Sequence, residues 1–166
     1  MLYSSSNSFL ALASDEGQKV WAKILRTASA REYSTKQVRV KLRNAGYSEN
    51  VIEEAIERAQ ELKILDDERY ADSLIRTRIS SGKGLQPTLK EIEELGINPE
   101  TLPSFEELAG IDAKESELER ALVLLDRKPP RSKNLRDGAF RKLVQAGYSV
   151  EVAGRAARLW MENGVE

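Results

Sequence analysis

The sequence predicts an all-α protein made of three tandem three-helix repeats, each resembling a helix-turn-helix, in an elongated, curved array. Three observations carry this expectation. Ala-Gly-Tyr-Ser at positions 45–48 returns at 146–149. Gly46, Gly96 and Gly147 head three similar turns spaced 50 and 51 residues apart, a period that fits supersecondary units too small to bury their apolar faces alone and therefore stacked on neighbours. Between the turns, apolar residues recur with the 3.6-residue period of amphipathic helices, and the alternation of a half-buried strand is absent. The expected organisation is a flexible arm over residues 1–16, followed by repeats over 17–65, 66–112 and 113–166.

Each turn has the parts that a helix stop and restart require. Gly46 follows a helix ending at Ala45, where a left-handed residue is needed and glycine supplies it without a Cβ clash. Ser48 is placed to accept from the free N–H groups of the next helix, with Tyr47 before it folding onto Ile52 as a hydrophobic staple. The middle copy reads Gly96, Ile97, Asn98 and Leu102, with Pro99 at the first helical position, where its missing N–H costs nothing. The last reads Gly147, Tyr148, Ser149 and Ala153. Gly followed by Ser is a common helix link in any one copy, but three copies in register indicate repetition.

A chain of 166 residues buries roughly 70% of the surface its unfolded form exposes, enough for one or a few small cores. It has no cysteine, so a disulfide framework or thiolate metal site is excluded, and no histidine, which removes the commonest general base and metal ligand. The net charge of −1 hides a pattern: residues 17–65 carry +4, 66–112 carry −6 and 113–166 carry +3. Basic ends around an acidic middle fit a binder of mixed surfaces better than a protein coating bare DNA.

Taken in order, residues 1–16 are serine-rich, open without Lys or Arg, and have an apolar run at 9–13 too short for an export signal. No later stretch approaches a membrane span. A helix over 17–28 places Val20, Trp21, Ile24 and Leu25 in a buried stripe. Ser34 with Gln37 forms a capping-box start for a second helix with Val38, Leu42 and Ala45 inward. Lys36, Arg39 and Arg43 fall on its other side as a basic stripe, readable as a solvated face or as a contact with phosphate or an acidic partner. A third helix from Glu49 to about Lys63 buries Val51, Ile52, Ala55, Ile56 and Ala59 and exposes Glu53, Glu54, Glu57 and Glu61.

Asp66 is a helix cap, with Asp67 and Glu68 in the first turn where the helix dipole favours acids, and Leu65 stapled onto Tyr70. Adjacent residues on a helix diverge, so these three acids read as helix-start chemistry rather than a metal site. SSGKG at 80–84 breaks the helix and lacks the P-loop pattern. A helix over 87–95 carries Leu89, Ile92 and Leu95. Pro103 lies five positions into the helix that Asn98 caps, so that helix is expected to be short, kinked or restarted at Ser104, with Phe105 and Leu108 buried. Gly110 and Asp112 separate it from a helix carrying Leu118, Ala121, Leu122 and Leu125. KPPRS at 128–132 is extended, because each proline disfavours helix at the residue before it. Two helices follow across the Gly147 turn, one with Ala139, Phe140, Leu143 and Val144 inward, the other with Val152, Ala156, Leu159 and Trp160.

Three stretches then resemble the RecX family, regulatory proteins of the RecA recombinase: residues 34–56, with helix, Gly-Tyr turn and acid-rich helix; LDDERYADSLIRTRISSGKG at 65–84, the most specific; and the final Gly-Tyr-Ser turn. Together they span most of residues 17–162. The resemblance implies tandem three-helix units without catalysis that bind the RecA filament on single-stranded DNA along its groove, bridge neighbouring subunits and suppress ATP hydrolysis, strand exchange and coprotease activity. The candidate partner-contacting cations are Lys36, Arg39, Arg43, Arg76, Arg78, Lys83, Arg155 and Arg158. A cytoplasmic monomer is expected, with no cofactor, no metal, no membrane association and at most weak direct DNA contact. Two other classes stay open: a stand-alone helix-turn-helix DNA-binding protein using Lys36, Arg39 and Arg43 in a groove, and an enzyme restricted to Lys, Tyr and carboxylates on helix surfaces.

Overall fold

The computed structural model describes residues 12–109 and 113–163, and the regular structure among them is entirely helical. The order is α1 Asp15–Ala30, α2 Thr35–Asn44, α3 Glu49–Glu61, α4 Asp67–Ser80, α5 Gln86–Glu94, a 3₁₀ turn Pro99–Thr101, α6 Pro103–Ala109, α7 Ala113–Arg127, α8 Leu135–Gln145 and α9 Val150–Asn163.

The three glycine turns share their hydrogen bonds as well as their sequence. Gly46, Gly96 and Gly147 have φ of +82°, +78° and +93°. Each glycine N–H donates to the carbonyl three residues back, on Arg43, Glu93 and Val144, at 2.9, 2.9 and 3.0 Å. Each following N–H, on Tyr47, Ile97 and Tyr148, donates five residues back to Leu42, Ile92 and Leu143 at 3.4, 3.3 and 3.1 Å. This paired closure satisfies the last helical carbonyls and requires the left-handed residue.

Each helix triplet has its own core. Val20, Ile24, Val38, Leu42, Ile52 and Ile56 centre the first; Ile75, Leu85, Ile92 and Leu102 the second; Leu118, Leu125, Leu143 and Val152, with a set of alanines, the third. The chain divides into two compact units, residues 1–70 and 71–166. The middle and last triplets fall in one unit because their backbones are tied together. The Gly84 and Gln86 N–H groups donate to Ala146 O and Gly147 O, both at 3.1 Å, and the Tyr148 hydroxyl donates to Gly82 O at 2.6 Å.

Several expectations are corrected by local geometry. Ser14 accepts from Gly17 N at 2.9 Å and starts α1, so residues 14–16 belong to a capped helix, while residues 1–11 of the expected arm lie outside the described residues. Within α1 the buried pair is Val20 and Ile24; Trp21 is half-buried and Leu25 is 43% exposed, because only positions four apart face α2 and α3 squarely. Ala45 is exposed, since α2 has already ended at Asn44. Ser48 makes no side-chain cap; its N–H and hydroxyl both donate to Glu16, at 2.7 and 2.9 Å. Glu53 and Glu54 are half-buried rather than exposed.

The interruption expected at Pro103 is present as a short turn followed by a restart, which begins at Pro103 itself rather than at Ser104. Asn98 caps a single 3₁₀ turn, the chain extends at Leu102, which is buried, and Pro103 opens α6 at the position where proline is tolerated. Phe105 packs on the middle core; the side chain of Leu108 and residues 110–112 lie outside the described residues. In α8 and α9, Phe140, Leu159 and Trp160 are half-buried and Val144 is 40% exposed, because the alanines at 139, 153, 156 and 157 bring the helices close and fill the centre instead.

Candidate functional site

The most specific stretch, residues 65–84, makes more long-range polar contacts than its helix-start chemistry foretold. In the first unit, Asp66 caps α4, accepting from Glu68 N and Arg69 N at 3.1 Å each, which holds its carboxyl below the usual range. Asp67 does something the helix-start reading missed: its Oδ1 accepts from Thr35 N at 2.7 Å and its Oδ2 from the Thr35 hydroxyl at 2.6 Å. The Tyr70 hydroxyl accepts from Gln37 Nε2 at 2.8 Å. Arg69 donates to Lys63 O and Ile64 O and to Glu32 at 2.7 Å, and so braces Lys63, a non-glycine residue at φ +55°. The Glu32 carboxylate raises the Arg69 pKa above its ordinary value.

The second unit continues the pattern. Asp72 Oδ1 accepts from Ser104 N at 2.8 Å at the start of α6, and Asp72 Oδ2 pairs with Arg76 at 2.9 Å. Burial pushes the Asp72 carboxyl up, but Arg76 and Ser104 outweigh it and hold the group below the usual carboxylate range. Arg76 also reaches Glu107, and Arg78 donates to the buried Thr88 hydroxyl at 3.1 Å. The stretch is thus mainly a set of braces between helices of each unit. The only signal for this in the sequence is the number of polar and charged groups the stretch carries.

The cations expected to contact a partner divide by how they are held. In the first unit, Arg39 makes a two-pronged pair with Glu53, at 2.5 and 2.8 Å, and its side chain is only 29% exposed. Arg43 is paired with Glu49, with a second contact at 2.8 Å. These hydrogen bonds raise both arginine pKa values, and Arg43 lowers that of Glu49. The predicted stripe is therefore matched by acids of α3, and Lys36 is exposed beside it. In the second unit Arg76 and Arg78 are engaged as described, Arg155 pairs with Glu115 at 3.2 Å, and Lys83 and Arg158 are exposed. The structure brings Arg39 and Arg43 together on one paired face; it gives Arg76 and Arg78 separate partners.

Among the described residues there is no group of three or more His, Cys, Asp or Glu placed to hold a metal, and no helix long and apolar enough to cross a membrane.

Residues 21–58, within the first triplet, match the family model described as RecX, first three-helix domain. The chain is 33% identical over 127 residues to a regulatory protein RecX of Clostridium botulinum (strain Alaska E43 / Type E3), covering 70% of this chain but 57% of that protein. It is 30% identical over 146 residues to a regulatory protein RecX of Mycobacterium sp. (strain JLS), covering 82% of this chain and 78% of that one. The crystal structure of RecX from Lactobacillus salivarius superposes with a TM-score of 0.64 at 21% identity, covering 89% of this chain and 98% of that one, which shows a shared fold.

Proposed function

Because the chain belongs to the RecX family, we propose that it regulates the RecA recombinase, binding the RecA filament on single-stranded DNA and suppressing its ATP hydrolysis, strand exchange and coprotease activity. It acts as a cytoplasmic monomer without chemistry of its own. The observation that carries the reading is recurrence: three helix triplets closed by the same hydrogen-bonded glycine turn, each offering its own outer face. A filament repeats one surface many times, and several modest contacts joined on one chain bind far more tightly than any one of them.

The helix-turn-helix alternative, which sets Lys36, Arg39 and Arg43 of α2 in a groove, is weakened by α3 packed beside it. This third helix carries Glu49, Glu53, Glu54, Glu57 and Glu61, and two of these occupy Arg39 and Arg43. Such a surface repels phosphate.

The test is a titration of the purified chain into its cognate recombinase on single-stranded DNA with ATP. Hydrolysis is expected to fall between sub-stoichiometric and equimolar addition, and the chain to sediment with the filament. Unchanged hydrolysis without co-sedimentation would remove this function.

A further inference from the structure

Within the second unit, the SSGKG turn at 80–84 and α7 face each other across an open cleft of about 320 Å³. Its apolar part is made by Ile79, Val123 and Leu124. Val123 is 47% exposed at the rim, while Ile79 and Leu124 are half-buried. Apolar surface of this kind stays wet until another apolar group covers it.

Two cations of α7 border the same space. Arg120 is half-buried, yet its one hydrogen bond runs to the neutral Ser116 hydroxyl at 2.8 Å, and its Nε is buried without a partner. Glu117, three residues before it, offsets part of its charge without forming an ion pair, and burial outweighs Arg120 in raising the Glu117 carboxyl above its ordinary value. Arg127, seven residues on and so on the same helix face, is exposed and has no acidic partner among the described residues. A guanidinium drawn partly out of water without a carboxylate is costly, which leaves the cleft short of a negative group. Glu119 is the one acid in the lining and gives the cleft polarity, since Arg127 lies about two helical turns further along.

Ser80 and Ser81 complete the rim. Their hydroxyls donate to Thr77 O and Arg78 O at 3.1 and 3.0 Å, so each keeps lone pairs with which to accept. Such acceptors suit backbone N–H donors, which a polypeptide has and a sugar-phosphate backbone lacks. No aromatic ring lines the cleft for a base to stack on, and two cations with an acid beside them make a poor phosphate track.

We infer that this cleft docks an extended acidic segment of a partner protein, which seats a bulky apolar side chain against Ile79, Val123 and Leu124 and sets its flanking carboxylates on Arg120 and Arg127. Ser80 and Ser81 accept from the segment's backbone. An apolar anchor framed by charge gives such a site both its affinity and its register. The site goes beyond the regulatory reading above, which leaves this cleft unassigned.

The test is a fluorescence anisotropy titration of the full chain into a fluorescein-labelled peptide, Gly-Asp-Asp-Leu-Phe-Asp-Asp-Gly. Binding is expected, and it should weaken roughly tenfold or more when Leu-Phe becomes Gly-Gly, and likewise when every Asp becomes Asn. Val123→Glu and Arg127→Glu, both at exposed positions, should each weaken the parent peptide by a similar factor, whereas Lys133→Glu, outside the cleft, should change it by less than about twofold. If Val123→Glu shifts the thermal melt, Arg127→Glu decides. Absent binding, equal binding of either control peptide, or an equal loss in Lys133→Glu would overturn the assignment. So would an oligomer of deoxythymidylate bound with the same sensitivity to Val123→Glu, which hands the cleft to nucleic acid. No recombinase is present, so such a failure leaves filament regulation standing.

Discussion

Asp67, at the start of α4, holds Thr35, at the start of α2, through both carboxylate oxygens, 2.7 Å to the backbone N–H and 2.6 Å to the hydroxyl. A helix start leaves N–H groups without intrahelical partners and carries partial positive charge, so a carboxylate there answers both. Ser34 already caps Gln37 N at 3.2 Å, and Asp67 takes the Thr35 donor two residues before it.

Asp67→Ala should therefore lower the stability of the chain by about 2 kcal/mol, the usual worth of a hydrogen bond to a charged group with a donor left behind. Asp67→Asn should cost less, since it keeps one acceptor. Urea unfolding followed by circular dichroism measures both, and a double cycle with Thr35→Val isolates the pair. Additive losses in that cycle would show that Asp67 acts elsewhere.

Two further acids do the same work at the same separation. Glu16 holds Ser48 and Asp72 holds Ser104, each pair 32 residues apart. The Ser48 backbone and hydroxyl groups lower the Glu16 pKa; for Asp72 burial is outweighed by its hydrogen bonds, and Arg69 N lowers that of Asp66. A carboxyl whose pKa is lowered by folding stabilises the fold above its unfolded value of about 4, and that contribution is lost as pH falls through the folded value. The urea midpoint should thus stay level from neutral pH down to about 5 and drop below 4. In Asp72→Asn the neutral-pH midpoint should be lower and the acid drop shallower.

Glycine substitutions should separate strain from collision. Gly46 has open space where a Cβ would stand, so Gly46→Ala meets only its left-handed backbone, a loss of about 1–2 kcal/mol. Gly84 has no such backbone constraint, but a Cβ there would overlap the backbone of Gly147 and Tyr148. Backbone held by two hydrogen bonds does not give way, so Gly84→Ala should cost about 3 kcal/mol or more. Thermal melts of the two variants should rank in that order. An equal loss would mean that the contact between the two turns relaxes freely.

The glycine turns, the helix order and most core positions were legible in the sequence because they rest on local periodicity and on residues with one dominant backbone habit. Gly46, Gly96 and Gly147 could be placed from spacing alone. What escaped is what depends on partners distant in the chain. The stripe of Arg39 and Arg43 reads as free charge until α3 is folded against it and Glu53 and Glu49 arrive. Ser48 has the composition of a cap, but Glu16 claims its hydroxyl from 32 residues away. Pro103 was legible as an interruption; the fold adds only its form, one extended residue before it that makes it a helix start. Trp160 escaped for the same reason, since the periodicity of α9 marks it as core and the alanines beside it leave it half-buried.

Tyr148 provides an alkaline counterpart to the carboxylates. It is buried, its hydroxyl donates to Gly82 O at 2.6 Å, and burial pushes its pKa up to about 12. The unfolded value is about 10, so the folded state holds this proton more tightly. The stabilisation is complete below pH 10 and is lost as pH rises towards 12. Phenolate also reverses the hydrogen bond, setting a negative oxygen against a carbonyl that can only accept. Ultraviolet titration should therefore show one of the five tyrosines ionising last, together with loss of helical signal. In Tyr148→Phe the late step should vanish, with stability already reduced at neutral pH by about 1 kcal/mol for the missing hydrogen bond. Five tyrosines ionising together near pH 10, or a late step retained in Tyr148→Phe, would show that the contact between the Gly82 and Gly147 turns does not depend on this hydroxyl.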